Sequence, residues 1–198
     1  MNIGGYQPVS LCDFEGHVAA VVFTQGCNFR CPFCHNAALL PIQPERGWLI
    51  PDQDVLDRLR LRRARIDAVV VSGGEPTLQP DLPDFLRAVS ILGFAVKLDT
   101  NGSRPDVLTA LFGDRLLDYV AMDIKAPWSK YESLAGVPMA RDRIAESMRI
   151  IASSGVPHEF RTTVPPGLLA AGDLAAIRAM IPPGSRHKIQ EYRPIHLR

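Results

Sequence analysis

Three cysteines fall within eight residues of one segment, Gly26-Cys27-Asn28-Phe29-Arg30-Cys31-Pro32-Phe33-Cys34-His35-Asn36. This C-x-x-x-C-x-x-C spacing holds three thiolates along a short arc, enough to ligate three corners of a cubane iron–sulfur cluster and leave the fourth iron without a protein ligand. An open iron can bind a substrate, whereas a cluster closed by four cysteines is an electron carrier. Two other readings recruit a fourth side chain. Cys12, fifteen residues before Cys27, could close a cluster, or His35 could complete a structural zinc site. Cys12 lies outside the compact motif, and adjacent Cys34 and His35 strain tetrahedral chelation.

The other residues with chemical potential follow short apolar runs. Ser72-Gly73-Gly74-Glu75-Pro76 follows residues 67–71, Asp99-Thr100-Asn101-Gly102 follows 94–98, and Asp123-Ile124-Lys125 follows 118–122. Arg161 lies within the run 158–164. Together with 17–23 and 187–192, these β-branched runs read as buried strands. Between them, residues 54–65, 82–92, 106–112, 143–151 and 173–180 have helical spacing; Ile144, Met148 and Ile151 repeat at three and four residues. Strands alternating with helices predict βαβ units and a parallel sheet, either open and doubly wound or curled into an incomplete barrel. In both, chemistry gathers at the carboxyl ends of the strands, where the polar segments stand. Taken singly, each has a structural reading: a tight turn for Gly-Gly-Glu-Pro, a helix cap for Asp99, an ion pair for Asp123 with Lys125, and a partly buried structural Arg161.

A chain of 198 residues can bury one sizeable core, and 46% hydrophobic with 22% charged residues describes a globular protein. The balance of 22 basic and 21 acidic residues gives no strong field, so neither nucleic acid nor a membrane surface is an expected partner. The N-terminal residues lack the basic and apolar regions of a signal peptide, which predicts a cytoplasmic protein, and four cysteines in such a protein point to a metal site rather than a disulfide framework. Arg58, Arg60, Arg62, Arg63 and Arg65 form a run that could dock an acidic surface but reads more simply as a solvated helix face; Trp48 and Trp128 are candidates for partner contact or for packing.

The cysteine loop, with the aromatic Phe33 just before its last cysteine, resembles the signature of radical S-adenosylmethionine (SAM) enzymes. With Cys34-His35-Asn36 and the segments 72–76, 99–102 and 118–125, the chain resembles the glycyl-radical-enzyme activating enzymes. Residues 18–36 resemble in particular those that activate anaerobic ribonucleoside-triphosphate reductase. The resemblance implies an α/β fold, a partial (βα)6 TIM-like barrel, as a single radical SAM domain over residues 1–198. It implies that Cys27, Cys31 and Cys34 hold a 4Fe-4S cluster whose open iron chelates SAM, and that Phe33 lies near the adenine. Gly73, Gly74 and Glu75 would receive the methionine amino group, and Asp99, Thr100 and Asn101 would stand near the ribose and methionine. Asp123 and Lys125 would flank the SAM carboxylate, with Arg161 facing SAM. Asp99 and Asp123 are candidates to bind a monovalent cation.

The implied activity is reductive cleavage of SAM to methionine and a 5'-deoxyadenosyl radical, which takes a hydrogen atom from a backbone glycine of a partner, here anaerobic ribonucleoside-triphosphate reductase. A flavodoxin- or ferredoxin-type protein would donate the electron. The chain departs from the family pattern at Asp13-Phe14-Glu15-Gly16, where many activating enzymes have an Asp-Gly-Pro-Gly-like segment. It also ends soon after the last strand and carries no insert with further cysteines. The alternatives are a radical SAM enzyme acting on a small molecule, which requires polar groups inside the barrel beyond the SAM set, and a non-enzymatic iron–sulfur protein, which requires a fourth protein ligand.

Overall fold

The computed structural model describes residues 1–42, 49–138 and 140–192; Trp48 lies outside them. Seven strands form one sheet in chain order: β1 (Ile3–Ser10), β2 (Ala19–Thr24), β3 (Ala68–Gly73), β4 (Ala95–Thr100), β5 (Tyr119–Asp123), β6 (His158–Val164) and β7 (Arg186–Glu191). β1 is antiparallel to β2, and every later pair is parallel. The connections carry α1 (Asp52–Arg62), α2 (Leu82–Ile91), α3 (Pro105–Gly113), α4 (Tyr131–Ala135), α5 (Arg141–Ser153) and α6 (Ala171–Met180). None of these helices is long and apolar enough to cross a membrane.

The strand order decides between the two architectures left open by the sequence pattern. A doubly wound sheet reverses direction at a switch point and places helices on both faces. Here the order runs β2 to β7 without reversal, and the helices share one face. Val22, Val69, Val71, Val96, Leu98, Val120, Met122 and Phe160 point outward to meet Leu59, Leu86, Leu108, Ile144 and Met148 in the main core. The opposite face bears a separate cluster built from strands and the β1–β2 loop, with Phe14, Ala19, Val21, Ala68 and Val70. A sheet covered by helices on its convex side and curled around a concave interior is a partial TIM-like barrel.

The strand and helix cores agree with the expected segments to within about two or three residues at their ends, the usual uncertainty of a terminus. Ile144, Met148 and Ile151 form the buried stripe that their spacing requires. Two elements have no sequence signal. β1 contains Gly4, Gly5 and Pro8 and is largely solvent-exposed or half-buried, so its pattern reads as a loop; it is a strand because it pairs with β2. α4 is too short to show a period. The arginine run follows α1 towards the N-terminal ends of the strands, away from the cysteine loop. Arg58 stacks over Tyr6 at 5.9 Å, and Arg60 pairs with Asp57.

Phe160 is fully buried at the centre of the main core. Phe160→Ala is expected to lower the free energy of unfolding by about 3–5 kcal/mol, and Leu61→Ala, at a position 87% exposed, by less than about 0.5 kcal/mol. Urea denaturation compares the two. Equal small losses would contradict this placement of the core.

Candidate active site

One cavity of about 210 Å³ opens at the carboxyl ends of the strands. The loop after β2 brings Cys27, Cys31 and Cys34 to its wall, β3 contributes Ser72 and Gly73 and leads into Gly74, and the ends of β4 and β5 contribute Asp99 and Asp123. Glu75, Thr100, Asn101, Lys125 and Arg161 add to its polar part, as do Asn36, Thr163 and Gln190, and Phe33 reaches it from a small apolar cluster with Ala126 and Leu134. Cys27, Cys31, Cys34, Phe33, Gly73, Gly74, Glu75, Asp99, Thr100, Asn101, Asp123, Lys125 and Arg161 therefore all line this cavity. His35 also lines it, stacked on Tyr192 at 4.8 Å between ring centroids. Cys12 does not. It is exposed in the β1–β2 loop at the opposite rim, 3.5 Å from Ser10 Oγ, and faces a separate floor pocket.

The loops after β2 and β3 are stitched together by backbone. Gly74 N–H donates to the Thr24 carbonyl at 2.9 Å, and Glu75 N–H donates to the Gly26 carbonyl at 2.8 Å. The approach requires glycine: a Cβ on Gly74 would collide with the Gly26 carbonyl oxygen, and one on Gly73, at φ +116°, with Thr24. The Asn36 side-chain amide donates to the Gly73 carbonyl at 3.3 Å. The glycine pair thus presents backbone, not side chain, to whatever occupies the cavity.

Glu75 is 1% exposed and wholly committed to the protein. Oε1 accepts from Thr77 N–H at 3.1 Å, Thr77 Oγ1 at 2.5 Å and Thr100 Oγ1 at 2.7 Å, and Oε2 accepts from Asn101 N–H at 2.6 Å. Burial raises its pKa, and the hydrogen bonds from Thr77, Asn101 and Thr100 oppose the rise. Asn101 passes the connection onward: its side-chain amide donates to Asn28 Oδ1 at 2.9 Å, and Asn28 donates to Ser103 Oγ at 2.9 Å. Thr100, Asn101 and the Glu75 side chain thus fasten β3, β4 and the cysteine loop to one another.

Across the cavity lies a charge ladder. Arg161 bridges two carboxylates, with Nη1 at 3.2 Å from Asp99 Oδ2 and Nε at 3.0 Å from Asp123 Oδ1. Lys125 Nζ lies 3.0 Å from Asp123 Oδ2. Burial opposes ionisation of Asp123, yet Arg161 and Lys125 outweigh it and hold the carboxyl at about 2. The same contacts raise the pKa values of Lys125 and Arg161 against burial, so all three stay charged at neutral pH. Asp99 Oδ1 is buried and accepts no hydrogen bond.

The donor set fits a cluster. A cubane with one open iron takes three thiolates, one on each of the other irons, and Cys27, Cys31 and Cys34 line one cavity. Among the described residues no group of three or more His, Cys, Asp and Glu side chains closes around one metal ion. Burial pushes the Cys27 thiol up to about 11 and raises that of Cys31 as well, so both sulfurs are held as thiols until a metal replaces the proton. Asn28 and Thr77 escaped the sequence reading, and Asn36 entered it only as part of the cysteine motif, because nothing in their type distinguishes a supporting amide or hydroxyl from a loop residue. Lys97, two residues before Asp99 on the same strand face, could have been found from the period of two.

Three comparisons bear on this geometry. The model of the Radical SAM superfamily matches residues 21–171. A protein of Methanocaldococcus jannaschii named as a glycyl-radical enzyme activating enzyme is 32% identical over 197 residues, 97% of this chain and 80% of that protein. The 7-carboxy-7-deazaguanine synthase of Neisseria meningitidis is 30% identical over 142 residues, 71% of this chain and 57% of the synthase. Among solved structures, SuiB of Streptococcus suis superimposes with a TM-score of 0.67 at 17% identity, over 89% of this chain and 40% of SuiB, a likeness of fold.

Two tests follow from the geometry. Glu75→Ala leaves buried donors of Thr77, Thr100 and Asn101 without an acceptor and is expected to cost at least about 3 kcal/mol of stability in urea denaturation, with Glu75→Gln milder; a loss below about 1 kcal/mol would mean that the carboxylate does not tie the rim. In the metal-free protein, alkylation of Cys27 by iodoacetamide, followed by peptide mass spectrometry, should lag far behind that of Cys12 near pH 7 and keep rising beyond about pH 9 as the thiolate forms. A Cys27 rate that levels off below about pH 8 would contradict the raised thiol.

Proposed function

This chain belongs to the radical SAM superfamily, and we propose that it is the activating enzyme of a glycyl-radical partner, with anaerobic ribonucleoside-triphosphate reductase as that partner. The observation that carries the reading is convergence: three thiols of one loop, the Gly73–Gly74 backbone and the charges of Asp99, Asp123, Lys125 and Arg161 all face one cavity. The family implies a 4Fe-4S cluster and SAM. When bound, the cluster supplies the low-potential electron that cleaves a carbon–sulfur bond of SAM.

Cys27, Cys31 and Cys34 are the ligands, and no fourth cysteine is within reach because Cys12 lies at the other rim. The Gly73 and Gly74 backbone receives the methionine ammonium, since a carbonyl edge free of Cβ atoms permits close approach. Glu75 sets the position of that edge through Thr77 and Asn101 instead of meeting the ammonium itself. Lys125 holds the SAM carboxylate, and Phe33 lies against the adenine. Asp99, which lines the cavity, receives a ribose hydroxyl or, with Asp123, a monovalent cation. Arg161 stands between the two carboxylates.

The small-molecule alternative calls for free polar groups deeper in the barrel. Beyond the SAM set, Thr163 and Gln190 line the main cavity; Lys97, Glu159 and Lys188, again with Gln190, line a floor pocket, but it measures about 60 Å³, room for a few waters rather than a metabolite. Lys97 there is engaged by Asp13 and Asp99, and Glu159 lies 3.9 Å from Arg186. Space is left at the mouth, where a protruding backbone segment of a protein can enter. A flavodoxin- or ferredoxin-type donor and a cytoplasmic setting complete the proposal.

Anaerobic reconstitution with iron and sulfide, then dithionite and SAM, is expected to yield 5'-deoxyadenosine and methionine, and added reductase to acquire a glycyl-radical signal by electron paramagnetic resonance. Cys31→Ala should lose cluster and cleavage together, while Cys12→Ala keeps both. SAM cleavage without a radical on the reductase would reject that partner. Loss of the cluster in Cys12→Ala would reject the open-iron site.

A further inference from the structure

The proposed chemistry leaves one buried charge unused. Lys97, on β4, is 4% exposed and faces the floor pocket, on the far side of Asp99 from the cavity mouth. Its Nζ donates to the Asp13 carbonyl and lies 5.8 and 5.6 Å from the ring centroids of Phe14 and Tyr119. An ammonium withdrawn from water is retained only where such partners offset its desolvation. The remaining contact is with the site: Nζ stands 3.5 Å from Asp99 Oδ1, the oxygen that accepts no hydrogen bond.

The two oxygens of Asp99 are thus held from two directions. Arg161, on β6, takes Oδ2 and extends to Asp123 and Lys125. Lys97 faces Oδ1 from below and is itself clamped by the β1–β2 loop. Arg161 lines both the cavity and the floor pocket, so the ladder is also the partition between them. If Lys97 were absent, Asp99 would keep a single cationic partner and could swing towards the floor, and residues 13 and 14 would lose the group that anchors them.

We propose that Lys97 is a positioning residue: it fixes the Asp99 carboxylate in the orientation that receives SAM, and it does so from a floor closed by Asp13 and Phe14. The inference rests on the reading of Asp99 as a SAM contact. Its test is a double-mutant cycle on the cluster-loaded protein, with SAM affinity measured by equilibrium dialysis and iron content measured in parallel. Lys97→Met is expected to weaken SAM binding on the order of tenfold at unchanged iron content. Lys97→Arg should recover much of the loss, and adding Lys97→Met to Asp99→Asn should cost little beyond Asp99→Asn alone.

Additive losses would overturn the inference, since Lys97 would then act without Asp99. Unchanged affinity in Lys97→Met beside a weakened Asp99→Asn would overturn it while sparing the reading of Asp99. Full affinity in Asp99→Asn would reject both. A fall in iron content that tracks the fall in affinity would assign Lys97 a purely structural role. Should Lys97→Met not fold, Lys97→Gln takes its place in the cycle with the same expected outcomes.

Discussion

A carboxylate with no access to water holds the rim of this barrel together. Glu75 accepts four hydrogen bonds from Thr77, Thr100 and Asn101, and a buried acid is tolerable only when its lone pairs are answered in this way. Those bonds fix the ends of β3 and β4 against each other. Through Asn101 and Asn28 they also reach the start of the cysteine loop, whose later part is held by Arg30 N–H on the Ala135 carbonyl.

The second constraint is charge. Asp99 and Asp123 stand in one lumen, and their repulsion is relieved by Arg161 between them, with Lys125 at the mouth and Lys97 at the floor. Breaking one member of such a buried set exposes another to an unpaired state, which costs more than the pair itself contributes. The open end of the lumen, about 210 Å³, leaves more room for a substrate than the floor pocket of about 60 Å³.

Much of the site was legible in the sequence because its parts are local. Cys27, Cys31 and Cys34 fall in one turn-rich loop, the Gly-Gly pair marks a close backbone approach, and Asp99, Asp123 and Arg161 sit on or just after apolar runs. Roles were less legible than positions. Glu75 reads as a partner for an ammonium until its neighbours are known, because the acceptor count of a carboxylate says nothing of which donors surround it. Lys97 reads as one more charged residue within a strand.

The sequence by itself determined the alternation of strand and helix, the buried stripe of α5, the cysteine spacing and the end of the strands at which polar residues collect. These follow from periodicity and from residue chemistry, which act over a few neighbours. Tertiary structure decided the rest: that the sheet curls with its helices on one face, that Gly4 to Pro8 become a strand, that Cys12 lies at the rim away from the other cysteines, and that Glu75 and Lys97 are buried beside the site. They depend on partners from 14 residues away, where Gln7 pairs with Val21, to 84 away, where Lys97 meets Asp13, and contacts of that range leave no local pattern to read.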